Sequence, residues 1–207
     1  MTSDTYEPRN VTLAVLAGGL ATRMGRPKAE LQLEGKPILH VLLNQWNWPG
    51  RTLLVTAPGR EKPPGFDRFS LEAVDPVADL GPLRGVLTAI EHCASPLLIV
   101  TTVDMPGIKQ EQAYWLLDRL TEREKTAGLF TERETRGEIR IEPFPLALRP
   151  AMARDCVAQR LQCGQFSVAG LKDELGFNTL RAPPSWSDQV WSNLNRPEDL
   201  ARFEAAS

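Results

Sequence analysis

Thirteen residues after the first apolar run of the chain, Leu16-Ala17-Gly18-Gly19-Leu20-Ala21-Thr22-Arg23-Met24-Gly25-Arg26-Pro27-Lys28, pair two adjacent glycines with two cations, Arg23 and Lys28. Adjacent glycines let backbone N–H groups come close to a ligand, and a run of free amides after a strand forms a concave anion site. The two cations add fixed charge and charge-assisted hydrogen bonds, so the loop suits a polyphosphate. A tight turn would account for Gly18-Gly19 but not for the cations downstream. The spacing is neither G-x-G-x-x-G nor G-x-x-x-x-G-K-[ST], which argues against a dinucleotide site of Rossmann type and a Walker-type NTPase.

Three further segments carry chemistry. In Thr101-Thr102-Val103-Asp104-Met105-Pro106 a single carboxylate stands at the C-terminal end of an apolar run, where ligands of open α/β sheets collect. With no basic residue near it in sequence, Asp104 is a candidate to hold Mg2+, which takes one or two carboxylates plus substrate phosphates; the alternative is a cap on the turn before Pro106. Asp75 ends another run, and Gly81 and Gly85 behind it leave room for a flat ring beside the backbone, although plain helix entry would explain the glycines equally. In Asn193-Leu194-Asn195-Arg196-Pro197-Glu198-Asp199-Leu200 two Asn alternate on one side of an extended segment. Asn195 could also cap the last helix.

These segments need a scaffold that presents strand ends, and the hydrophobic pattern supplies one. Near-continuous apolar runs at Val11 to Ala17, Arg51 to Ala57 and Leu97 to Val103, with a weaker one at Leu71 to Asp75, read as parallel strands buried on both faces. Between them, three- and four-residue apolar spacing predicts helices over Pro37 to Trp48, Pro82 to Cys93 and Lys109 to Glu124, with both prolines in first turns. The second half predicts strands at Phe130 to Thr131 and Ile139 to Leu148 around a turn at Thr135 to Gly137. Helices follow at Pro150 to Leu161 and at Val168 to Leu175, the latter capped by Ser167. A short strand is expected at Val190 to Asn193 and a closing helix at Glu198 to Ala206. The class is α/β: three layers, α/β/α, around a mostly parallel sheet. Residues 1–10 read as a tail and 11–207 as one domain.

Composition narrows the function. The chain has 207 residues with 24 Lys plus Arg against 26 Asp plus Glu, a net charge of −2 without any block of like charge, so the electrostatic footprint of a duplex nucleic-acid binder is missing. No apolar run reaches the ~18 residues of a membrane span. Cys93, Cys156 and Cys163 form no CxxC and are odd in number, which argues against a disulfide framework or zinc site and for a reducing cytoplasm. Cys156 and Cys163, seven apart, are expected to share a helical core face.

Taken together the four segments resemble the molybdenum cofactor guanylyltransferase family, whose nucleotide-binding α/β fold is that of the nucleotide-diphospho-sugar transferases. The family pattern LAGG-x-x-x-RMG-x-x-K is matched by Leu16 to Lys28, its strand-end Asp-x-Pro by Asp104 to Pro106, its GPL-x-G by Gly81 to Gly85, and its Asn-x-Asn-x-Pro-Glu-Asp/Glu-Leu by Asn193 to Leu200. The resemblance runs from about Val11 to Arg202. It implies that Leu16, Ala17, Gly18 and Gly19 contact the guanine and ribose side of GTP, and that Lys28 contacts its phosphates. It implies also that Asp75, Gly81 and Gly85 belong to the base pocket and that Asp104 binds Mg2+. The catalytic group would be Arg23, Lys28 and Asp104, with Asn193 and Asn195 completing the binding site. The implied partners are GTP, molybdopterin and, transiently, proteins of cofactor biosynthesis or insertion. The implied reaction joins GMP to the terminal phosphate of molybdopterin with release of pyrophosphate.

Two departures from the pattern matter. Arg26-Pro27-Lys28 replaces the Gly-Asp-Lys of many guanylyl-transferring members and is more typical of related cytidylyltransferases. Gly18-Gly19 and Asn193-x-Asn195 depart from those relatives in turn, two markers against one in favour of GTP. Glu142-Pro143-Phe144-Pro145-Leu146-Ala147-Leu148-Arg149 keeps only part of the family's Pro-Leu-x-Ala-Leu-Tyr run. The rival readings are a transferase that uses CTP or a sugar phosphate acceptor, and a nucleotide-binding regulatory protein without turnover.

Overall fold

The computed structural model describes residues 6–19, 27–77, 80–135 and 137–206. Strand β1 (Val11–Leu16) is fully buried and opens the sheet; a two-stranded ribbon, β2 (Gln32–Leu33) and β3 (Lys36–Pro37), then leads to helix α1 (Ile38–Trp46). Strands β4 (Thr52–Thr56) and β5 (Leu71–Val74), helix α2 (Pro82–Glu91), strand β6 (Leu97–Thr102) and helix α3 (Gln110–Thr121) complete the first half. The second half comprises β7 (Gly128–Thr135), β8 (Glu138–Leu148), α4 (Pro150–Gln162), β9 (Phe177–Arg181) and α5 (Pro197–Ala205).

The main sheet has seven strands in the order β5-β4-β1-β6-β8-β7-β9. β5, β4, β1 and β6 run parallel, β8 pairs antiparallel with β6 and β7, and β9 joins β7 in parallel. Because strand side chains alternate between faces, one strand feeds two cores. Ala14 and Leu16 of β1 pack with Leu83, Val86 and Ile90 of α2 and with Ala153 and Val157 of α4. Leu13 and Val15 point the other way, toward Leu39 and Leu42 of α1, Leu116 and Leu120 of α3 and Phe203 of α5. Three layers, α/β/α, follow from that alternation. No helix among the described residues is long and apolar enough to cross a membrane.

Several local expectations are corrected. Pro37 precedes α1 instead of occupying its first turn, whereas Pro82 does stand at the start of α2. The segment expected as a helix from Val168 is a 3-10 turn, Ala169–Asp173. Its buried residues, Val168 and Leu171, are three apart, the repeat of a 3-10 turn, and Leu175 is fully exposed. The short strand expected at Val190 is likewise a 3-10 turn, Asp188–Trp191, which buries Val190 and Trp191 together. β9 was not foreseen: Phe-Asn-Thr-Leu-Arg lacks two-residue alternation, and its hydrogen bonds come from β7 at the sheet edge. Cys156 is half-buried but Cys163 is an exposed residue ending α4, so the two share no core face; all three cysteines are free.

Candidate active site

The C-terminal ends of β5, β4, β1 and β6 open into a cavity of about 730 Å³, within the range of small-molecule sites. Leu16, Gly18, Gly19, Lys28, Asp75, Gly81, Gly85, Asp104 and Asn193 all line it, brought together from segments as far apart as β1 and the chain end. Ala17 does not: it is buried, and its N–H donates to Val55 O at 2.8 Å. Arg23 and the rest of residues 20–26 lie outside the described residues, as does Asp79.

Lys28 is the hub. Its Nζ donates to Asn195 Oδ1 at 2.6 Å and forms an ion pair with Asp104 Oδ2. No basic residue is near Asp104 in sequence, yet the fold brings one to it: 76 residues separate Lys28 from Asp104, and they meet at the tip of β6. The cap role of Asn195 is corrected as well. Asp199 Oδ2 accepts from the N–H groups of Arg196 and Asn195 at 2.9 and 3.1 Å, so α5 is capped from within and the Asn195 side chain serves Lys28.

The chain end reaches this point through a close approach. At Gly107 a Cβ would lie 1.9 Å from Gln189 O, so only glycine lets the Asp188–Trp191 turn pack on the loop after β6. Leu194 N–H then donates to Asp104 O at 2.8 Å, fixing Asn193 and Asn195 beside the carboxylate.

Asp104 is 8% exposed; one carboxylate oxygen faces Lys28 while the other, Oδ1, is buried without a hydrogen-bond partner among the described residues. The hydroxyl of neighbouring Thr102 is likewise buried and unpartnered. Orphaned buried oxygens are costly, and here they are oxygen donors suited to a hard divalent cation. Among the described residues no group of three or more His, Cys, Asp or Glu could hold a metal ion.

The other half of the cavity is floored by glycines. Gly81 has φ +76°, open to glycine at little cost, and ends the loop immediately before α2. A Cβ on Gly85 would lie 3.3 Å from Leu16 Cδ2 and 3.6 Å from Asp75 Oδ2, so its absence keeps the floor between them low. Burial pushes the Asp75 carboxyl above its usual range, against the opposing pull of Thr88 and Arg84, while Glu91 adds to the rise. Its Oδ1 is buried and has no hydrogen-bond partner among the described residues. A raised folded-state pKa means that the native state holds more protons than the unfolded chain between the two values. Asp75 therefore lowers stability as pH rises from the ordinary carboxylate value of 3.8. Asp75→Asn is expected to raise the melting temperature by a few degrees at pH 7, a gain that fades on acidification toward pH 4; melting curves across that range check it.

Residues outside the expected site also line the cavity, some of them, Met105, Glu142 and Phe144, from segments that the sequence did mark. Val55 and Ala57 come from the end of β4, Met105 from the loop after β6, and Arg133, Glu142, Phe144 and Trp191 from the far wall. Beyond β4, Arg60 Nη1 donates to Gly19 O at 3.1 Å and ties the glycine pair to the next loop. The rule that ligands gather at strand ends would have pointed to Ala57 and its loop.

Residues 13–170 match the MobA-like NTP transferase domain family. A probable molybdenum cofactor guanylyltransferase of Opitutus terrae is 32% identical over 202 residues, covering 91% of this chain and 92% of that protein. A molybdenum cofactor guanylyltransferase of Shewanella piezotolerans is 26% identical, covering 95% and 93%. Among solved structures, molybdopterin-guanine dinucleotide biosynthesis protein A of Archaeoglobus fulgidus superposes with a TM-score of 0.74 at 23% identity, covering 94% of this chain and 97% of that one. The 2-C-methyl-D-erythritol 4-phosphate cytidylyltransferase of Thermus thermophilus shares the fold at a TM-score of 0.63 and 18% identity, covering 93% and 96%.

Proposed function

The chain belongs to the MobA-like NTP transferase family and is a nucleotidyltransferase, and from that premise we propose that it transfers GMP from GTP to molybdopterin with release of pyrophosphate. The observation that carries this reading is the convergence of Lys28, Asp104 and Asn195 between a glycine-lined ring pocket and a second, aromatic wall. On this reading those parts would take base, phosphates and acceptor in that order.

On this reading Asp75 accepts from the N–H donors of the guanine edge, which would give Oδ1 a partner. Gly18 and Gly19 bring backbone close to the ribose and phosphates, and Lys28 draws on the triphosphate while Asn195 holds its ammonium in place. Asp104, through Oδ1, and Thr102 would hold Mg2+, which when bound neutralises phosphate charge and polarises the α-phosphate. Attack by a phosphate oxygen is an in-line displacement that needs neither a covalent enzyme intermediate nor a general base; holding both substrates in line provides most of the catalysis.

Thermal shift tests the nucleotide. GTP with Mg2+ is expected to stabilise the protein by about 2.7 kcal/mol at a hundredfold excess over Kd, with little effect from CTP. Equal or larger stabilisation by CTP overturns the choice of GTP and favours a cytidylyl transferase.

A further inference from the structure

The sheet order separates the cavity into two seats. From Asp75 at the end of β5 to the β8 wall is four strand steps, roughly 19 Å at the usual strand spacing, with Lys28 and Asp104 between. Resting on the guanylyl-transfer reading, we infer that Arg133 and Glu142, over the faces of Trp191 and Phe144, recognise the acceptor's ring by its hydrogen-bonding edge, an oxo group to Arg133 and N–H groups to Glu142.

Three observations converge on this wall. First, β8 carries extra residues against β7: Leu129 pairs with Ala147 but Thr131 pairs with Glu142, and since Leu146 stays paired with Val100 of β6, residues 143–145 form the bulge. Bulges beside sites re-aim side chains, and this one turns Pro143 and Phe144 into the cavity. Second, Trp191 is nearly buried, lines the cavity, and is held from behind by Trp186, whose ring centroid lies 5.6 Å away. The Arg133 guanidinium lies 5.8 Å from the Trp191 centroid. Flat apolar faces flanked by a cation suit a planar heterocycle. Third, the polar pair is incompletely satisfied. Arg133 Nε lies 2.8 Å from Glu142 Oε1, yet its N–H is not directed at that oxygen and the buried donor has no hydrogen bond. Asp188 Oδ1, the other acid facing Arg133, is fully exposed and 4.0 Å from Nη1. A simple cross-strand ion pair would use that donor; a ligand oxygen would complete it.

An edge with one oxo group beside N–H and amino donors is that of a 2-amino-4-oxopteridine. Equilibrium binding of two probes to the protein alone tests this: pterin, and lumazine, in which the 2-amino group is replaced by oxo. The wild type is expected to bind pterin about tenfold or more tightly than lumazine, since an oxo group would face the Glu142 carboxylate. Glu142→Gln should abolish the preference by letting the amide donate, and Arg133→Met should weaken both rings. In turnover, each variant should raise the acceptor KM and leave the GTP KM unchanged. Wild-type melting curves and an intact GTP-induced shift in both variants show that the fold and the nucleotide seat survive. Equal binding of the two rings, binding of neither, or an unchanged preference in Glu142→Gln overturns the assignment. Failure of GTP to stabilise the wild type, with the pterin preference present, overturns the nucleotide reading and leaves the ring seat standing.

Discussion

Asp104→Asn is expected to fold and melt close to the wild type while losing roughly two orders of magnitude or more in pyrophosphate release from GTP and molybdopterin. The substitution keeps size, and the amide oxygen can still accept from Lys28, so the contact across the cavity floor survives. What disappears is the negative charge on an oxygen that the described residues leave buried and unpartnered. Such an atom costs about 1 to 3 kcal/mol when unmet, and folding carries that cost where a ligand later satisfies it. A turn-capping role would require the side chain to accept from the backbone that follows. Among the described residues it makes no such bond, and the turn is closed by backbone groups, Met105 N to Thr102 O. The measurement is pyrophosphate release with Mg2+ titrated, beside a melting curve of the variant. Near-normal release at low Mg2+ would leave Asp104 only as the counterion of Lys28 and move the cation toward Asp75.

The parts of the site differed in how far the sequence exposed them. β1, β4 and β6 are legible because burial on both faces demands near-continuous apolar runs, and those runs then locate Gly18, Ala57 and Asp104 at strand ends. Gly81 and Gly85 are legible only in place, since helix entry would explain them equally, and the structure sets both in the cavity wall. The Lys28–Asp104 contact is not legible, since nothing in either segment's local pattern specifies a pairing across 76 residues. The far wall is hidden for a different reason. Arg133 and Glu142 sit in strands whose charged, irregular stretches resemble any solvated hairpin, and only the mismatch between Thr131–Glu142 and Leu129–Ala147 pairing turns them inward. Trp191 depends on Gly107, where a close approach of two backbones, not any residue pattern, decides that the chain end packs over the site.

Lys28→Met separates two jobs that the hub performs at once. If Lys28 meets phosphate, the variant should bind GTP roughly tenfold to a hundredfold more weakly, the equivalent of a lost charge-assisted contact of about 1.5 to 3 kcal/mol. Guanosine, which carries no phosphate, should bind nearly as before, and titration calorimetry of both ligands reads the difference. The second job is structural. The Lys28 and Asp104 side chains are only 14% and 12% exposed, so the variant leaves a carboxylate with no cation beside it and Asn195 Oδ1 with no donor. Stability should fall by about 1 to 3 kcal/mol, less than for a fully buried pair because the cavity admits water. Adding Asp104→Asn to Lys28→Met removes the uncompensated charge, so the double variant should regain much of that stability while staying inactive. Full additivity of the two stability changes would mean that the ion pair contributes nothing to the folded state. Equal weakening of GTP and guanosine would assign Lys28 to the shape of the cavity floor, and unchanged affinity for both would leave it as the counterion of Asp104 alone.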